Sequence, residues 1–317
     1  MAASLKYTLH HYGTDNYLQK LGVWEVDPTN KDKYWVIYIH GGAWRDMRVE
    51  HDCFIPSIDW ILSTAPATTD NGNGGGGGGG TGDAIAGFAS LDYRLSPHPL
   101  FPQDRATTPA DRYRGARHPD HIDDVRAALA LLQRTYGFGA NYVLVGHSAG
   151  GSLAFQLLTT AAPASAGEAG EGPVPPAAIV GFGGLYDFTG IDARRGGAYG
   201  PFFRGAFGDD PAAWDAAAPV KFAGDYAAAW PGGRFALIGS SPDDTLVDEL
   251  EADNMAHRLR DVDGFVEGEE RKNNNNNDKK KLLRLKDLRG DHDEVWKSGE
   301  HVARMVWIAL RELGAGL

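Results

Sequence analysis

Cysteine is nearly missing from this chain: Cys53 is the one thiol among 317 residues. No intramolecular disulfide can form, so nothing in the sequence is built for an oxidising compartment. Cys53 stands beside Phe54 and Ile55 and reads as a small buried hydrophobe rather than a reactive thiol. Basic residues are also in short supply. Lys and Arg number 31 against 42 Asp and Glu, a formal net charge of −11, which excludes the clustered cations that a sequence-independent hold on nucleic acid requires. No apolar run is long enough to span a bilayer, and Met1 to Tyr7 lacks the apolar stretch of a signal peptide. The reading is therefore a cytoplasmic protein with no membrane partner. His, Asp and the single Cys show no metal-ligand spacing, so no metal is expected.

What is present is enough apolar residue, 42%, to bury one large core. The expectation is a single domain over residues 1–317 with low-complexity surface inserts near 70–82, 162–176 and 267–281. The polyglycine run Gly74 to Gly80 and the asparagine run Asn273 to Asn277 lack apolar surface to offset the entropy of ordering, which predicts mobile loops. Elsewhere short β-branched or aromatic runs alternate with helical patterns. Strands are predicted at Gly22 to Val26, Tyr34 to Ile39, Gly87 to Tyr93, Tyr142 to Val145, Ala178 to Phe182, Phe235 to Ile238 and Leu282 to Leu285. Helices are predicted from Asp120 to Tyr136, Ser148 to Thr160, Leu246 to Leu259 and Glu294 to Leu313. This alternation implies an α/β architecture, a mostly parallel sheet with helices on both faces.

The strongest chemical signal is Val143-Leu144-Val145-Gly146-His147-Ser148-Ala149-Gly150-Gly151, a buried strand running into G-x-S-x-G and then a helix. That context is what the motif needs in order to present Ser148 as a nucleophile on a sharp turn. Gly146 and Gly150 make the turn possible, and the N–H of Ala149 then faces a bound acyl oxygen. Upstream, an apolar strand ends in His40-Gly41-Gly42-Ala43-Trp44. Adjacent glycines let backbone N–H groups approach an acyl oxygen, so Gly41 and Gly42, with Ala43 beside them, are the expected other half of an oxyanion hole.

A serine hydroxyl needs a base, and the base a carboxylate. In the α/β-hydrolase fold that these motifs define, the chain order is Ser, acid, His. After the strand ending at Ile238 comes Ser240-Ser241-Pro242-Asp243-Asp244-Thr245-Leu246. Asp244 is the expected acid, two residues before the leucine opening a helix; Asp243 is the alternative, and Asp187 the next candidate. His292, in Gly290-Asp291-His292-Asp293, is the imidazole after the last strand and the expected base. The remaining histidines have bland readings: His147 points away from the acyl pocket and His40 shapes the glycine loop.

With these residues placed, the sequence resembles the fungal kynurenine formamidases of the HGGxW esterase/lipase branch. The resemblance rests on His40 to Asp46, Asp92 to Pro99, His118 to Val125, Gly146 to Gly150, Gly184 to Asp187 and the His292 loop. It implies hydrolysis of N-formyl-L-kynurenine to L-kynurenine and formate, a step of tryptophan breakdown that feeds NAD synthesis, with no metal or cofactor and with a homodimer in keeping with the family. A general carboxylesterase or lipase with the same triad is the alternative, and a non-catalytic binding protein a third. Trp44 and Tyr186 are placed either against the anthraniloyl ring of that substrate or in the core.

Overall fold

The computed structural model describes residues 1–64, 84–159, 172–267 and 279–315. The polyglycine and asparagine runs, and residues 162–171 of the insert near 162–176, lie outside them. Nine strands form one sheet: β1 (Lys6–His11), β2 (Lys20–Glu25), β3 (Tyr34–Ile39), β4 (Ile85–Leu91), β5 (Tyr142–His147), β6 (Ala178–Phe182), β7 (Phe235–Gly239), β8 (Val266–Glu267) and β9 (Lys281–Leu285). Their spatial order is β1-β2-β4-β3-β5-β6-β7-β9-β8. β1 and β2 join the sheet antiparallel and every later pairing is parallel.

The central strands are apolar at consecutive positions because both faces are covered. In β3, Trp35, Ile37 and Ile39 enter one core while Val36 and Tyr38 enter the other. The first core is closed by α2 (Asp120–Tyr136) through Ile122, Val125 and Leu129, and by α3 (Ala149–Thr159) through Leu153 and Phe155. The second is closed by α1 (Ile55–Ser63) through Ile58 and Ile61, and by α10 (Glu300–Glu312) through Val302, Val306 and Leu310. Cys53 packs against this second core, and burial pushes its thiol pKa well up, which is the inert cysteine read from the sequence.

The predicted strands and helices are found, together with elements the sequence did not show, α1 and β8 among them. β1 was not anticipated: Lys6-Tyr7-Thr8-Leu9-His10-His11 has no buried position, so it carries no hydrophobic pattern and is held by pairing with β2. The last predicted helix is two, α9 (Glu294–Lys297) and α10, broken at Gly299 with φ +80°. A Cβ on Gly299 would collide with the backbone of Pro56, so the break lets the chain turn against α1. Between β6 and β7 lie four short helices, α4 (Phe188–Arg194), α5 (Gly200–Phe207), α6 (Pro211–Ala217) and α7 (Tyr226–Ala229). α8 (Glu249–His257) follows β7.

Candidate active site

Ser148 sits between β5 and α3 with φ +53°, a left-handed conformation costly for a non-glycine residue and tolerated where surrounding structure enforces it. The glycines of the motif explain how. A Cβ on Gly146 would strike the carbonyl of Gly150, and one on Gly150 would strike the carbonyl of Ile39 at the end of β3. Ser148 N donates to Phe182 O of the neighbouring strand at 3.1 Å, which pins the turn to the sheet.

The glycine loop after β3 lies against this turn: a Cβ on Gly41 would meet Ser148 Cβ at 2.8 Å. Gly42, Ala43 and Trp44 have φ of +94°, +49° and +58°, three left-handed residues in a row. The Tyr93 hydroxyl is shared between the carbonyls of His40 and Gly41, 3.1 Å from each, and His40 Nδ1 donates to the Gly41 carbonyl at 2.9 Å. In a trans peptide the carbonyl and the following N–H point opposite ways. With the Gly41 carbonyl held towards Tyr93 and His40, the Gly42 N–H is turned away from them. His40 Nε2 faces Asp92 Oδ1 at 3.6 Å, and Asp92 also accepts from His51 N (2.6 Å) and His51 Nδ1 (2.8 Å). Burial works to raise the Asp92 pKa, but the hydrogen bonds and charges of His40 and His51 outweigh it and hold the carboxyl at about 2.

Asp244 follows β7 and His292 follows β9. Asp244 Oδ2 lies 2.7 Å from His292 Nδ1. Asp243 takes a different partner, accepting from Gly290 N at 3.1 Å. Ser241 Oγ donates to Gly290 O (2.7 Å), and Asp291 accepts from Thr245 N (2.8 Å) and Thr245 Oγ1 (2.9 Å). The acid and histidine loops are thus sewn together along their length. Asp187, the reserve candidate, accepts from Gly190 N at the start of α4 and lies 3.7 Å from Lys221. His147 points beneath the site, donating from Nε2 to the His292 carbonyl at 3.1 Å. Burial, reinforced by His292, pushes the His147 pKa well below its ordinary value, so it adds no charge beside His292.

Ser148, His292, Gly42 and Ala43 line one cavity of about 280 Å³. No hydrogen bond joins Ser148 Oγ to His292 among the described residues, a looseness common before substrate binds. Ala149 is fully buried at the start of α3. Trp44 and Tyr186 are core residues: both are fully buried, with Trp44 packed on Phe188, Phe203 and Phe207. The cavity wall is instead built by Arg45, Leu185, Tyr199, Phe202, Leu246 and Val247, with Arg48 and His98. Sequence reasoning missed these because α5 is an eight-residue helix without a long periodic signature; Tyr199-Gly200-Pro201-Phe202-Phe203, an aromatic cluster around a helix-starting proline, was the available cue.

Glu50, His51 and Asp92 could together offer ligand atoms to a metal. The Lys20 ammonium already occupies that neighbourhood, 2.7 Å from Glu50 and 3.7 Å from Asp92.

The sheet order and its helical layers have counterparts among solved structures. The chain aligns with esterase B of Lactobacillus rhamnosis at a TM-score of 0.62, with 14% identity, covering 99% of this chain and 87% of that one. A hormone-sensitive lipase from a metagenome library aligns at 0.57 with 17% identity, over 97% of this chain and 87% of that one. The fold is that of the α/β-hydrolases. No family model matches the sequence. The kynurenine formamidase-like hydrolase fscH of Fusarium equiseti is 33% identical over 281 residues, 86% of this chain and 81% of that protein. The kynurenine formamidase avaC of Aspergillus versicolor is 30% identical over 312 residues, 91% of this chain and 94% of that protein. The chain belongs to the kynurenine formamidase-like hydrolases and is a hydrolase. No helix of the described residues is long and apolar enough to cross a membrane.

Proposed function

We propose that the protein hydrolyses N-formyl-L-kynurenine to L-kynurenine and formate through a Ser148–His292–Asp244 triad. The observation that carries the chemistry is the 2.7 Å contact of His292 Nδ1 with Asp244 at the cavity that Ser148 lines. The substrate is supported by the relatives' names, which are those of kynurenine formamidases.

Asp244 fixes the tautomer in which Nδ1 carries the proton, leaving Nε2 free to take one from Ser148. Ser148 Oγ attacks the formyl carbon, and the carbonyl electron pair becomes an oxyanion. The N–H groups of Gly42 and Ala149, with Gly41 shaping the approach, receive that charge. His292 then gives its proton to the aryl nitrogen as the C–N bond breaks, and L-kynurenine departs. Water, deprotonated by His292, attacks the formyl ester; formate leaves and the Ser148 hydroxyl regains its proton. No metal or cofactor enters these steps, and the substrate is a small molecule.

The test is turnover of purified protein on N-formyl-L-kynurenine, followed by kynurenine absorbance and formate release, beside p-nitrophenyl acetate. Formamide turnover with kcat/KM above about 10⁴ M⁻¹s⁻¹, within the ordinary enzyme range, is expected. Rapid ester cleavage without formamide turnover makes the protein a carboxylesterase.

A further inference from the structure

Arg45 stands next to the glycine loop in sequence and is bound to it in space, its N–H donating to Gly42 O at 3.0 Å. The left-handed residues Ala43 and Trp44 send the Trp44 ring into the core and leave Arg45 on the wall of the Ser148 cavity. The residue is only 9% exposed, yet among the described residues it forms no ion pair. One nitrogen, Nη1, donates to Pro201 O at 3.3 Å, and the guanidinium lies over the Phe202 ring, 3.9 Å from its centroid. A guanidinium has five N–H donors in a planar fork, so most of its capacity is unused.

The carboxylates around it are already claimed. Asp46 is gripped by Arg48 at 2.9 and 2.7 Å. Asp293 is paired with Lys297 at 3.0 Å, and Asp244 with His292. Arg45 is therefore a cation on the cavity wall with no ion-pair partner among the described residues, and a charge largely withdrawn from water is costly unless a ligand pairs with it. The aromatic face recovers only part of that cost.

We infer that Arg45 binds a carboxylate on the departing half of the substrate and so selects amides and esters whose leaving group is an acid. The planar fork matches a carboxylate in bidentate fashion. A formyl group has no atom to spare for a charge, so the anion has to sit on the amine side. Because Arg45 shares its loop with Gly42, clamping the leaving group there also fixes its position relative to the oxyanion donors. The inference rests on the Ser148 cavity being the acyl-transfer site and on a small uncharged acyl group, formyl or acetyl, but not on the bond broken being an amide.

The test uses two matched pairs: N-formylkynurenine against its α-carboxamide, and 3-acetoxybenzoate against 3-acetoxybenzamide. Wild type is expected to favour the acid in both. In Arg45→Met the acid-to-amide ratio of kcat/KM falls about 10- to 100-fold, chiefly through KM, the scale of a charged hydrogen bond; Arg45→Lys regains part of it. An unchanged ratio in folded Arg45→Met overturns the inference, as does a wild-type preference for the amides, which needs no variant to fold. Acid-selective ester cleavage without formamide turnover sinks the formamidase reading and leaves Arg45 its role. Equal turnover of N-formylkynurenine and its carboxamide does the reverse, and no hydrolysis in either series overturns both.

Discussion

Asp244 serves three partners at once: Oδ2 faces His292 Nδ1 at 2.7 Å, while Oδ1 accepts from the backbone N–H groups of Leu246 (2.9 Å) and Val247 (2.8 Å). The carboxylate is thereby locked by its own loop before it touches the imidazole. Asp244→Asn is expected to lower turnover by about 10⁴, because the amide disfavours the required tautomer and cannot stabilise the imidazolium. Asp243→Asn keeps an oxygen for Gly290 N and is expected to retain most activity. Steady-state kinetics of the two variants, with folding checked by circular dichroism, ranks them; the opposite order moves the acid to Asp243.

Ser148→Ala is expected to reduce turnover by about 10⁴ to 10⁶ with little change in melting temperature, since a methyl group fits the turn that φ +53° already imposes. A variant retaining a tenth of the parent rate would falsify the assignment of Ser148 as nucleophile.

Tyr93 holds the glycine loop by its hydroxyl, shared between the His40 and Gly41 carbonyls, and by its ring, which stacks on His40. Tyr93→Phe removes the hydroxyl anchor while preserving the ring stacked on His40. The expected result is a fall in kcat of about tenfold, below the loss of a direct oxyanion donor, with KM nearly constant. An unaltered kcat would show that the loop keeps its shape without this bond.

Asp92 makes stability depend on acid. Its folded pKa of about 2 lies below the unfolded value of about 3.9, so the folded state holds the proton less tightly. The resulting stabilisation, about 2 to 3 kcal/mol, is present above about pH 4 and disappears as the pH falls towards about 2. Asp92→Asn should lose that amount at pH 7, and the gap from wild type should close in acid. Urea unfolding at a series of pH values measures it; a gap that does not change with pH contradicts the linkage.

Gly150→Ala places a methyl group against the Ile39 carbonyl, where neither backbone can give way without separating α3 from β3. A cost of at least about 3 kcal/mol is expected, read as a lowered urea midpoint. A melting temperature equal to wild type would show that the turn relaxes.

The serine elbow was legible in sequence because its meaning lies in local order: apolar strand, small residue, serine, small residue, helix. The glycine loop and His292 were legible through their place after strands. Choosing between Asp243 and Asp244 was a different problem. The two are identical in chemistry and adjacent, and what separates them is which group of a loop some fifty residues away each meets, Gly290 N for Asp243 and the His292 ring for Asp244. Trp44 and Tyr186 were ambiguous for a similar reason, since an aromatic beside a motif is sent to the core or the cavity by packing alone. The cavity wall was hidden because α4 to α7 are four to eight residues each, too short for a helical period to declare itself. β1 was hidden because a strand without a buried face has no pattern to read.

The chain leaves α1 at Ser63 and begins β4 at Ile85; it leaves α3 at Thr159 and begins β6 at Ala178. Both connections enter a strand at its amino end, whereas Ser148, Asp244, His292 and the glycine loop all follow the carboxyl ends of β5, β7, β9 and β3. A change of length in either connection is therefore expected to fall on the side of the sheet away from the proposed reacting atoms, and a change after β3, β5, β7 or β9 directly beside them. The sheet thus receives these two connections at one end and presents the candidate site at the other.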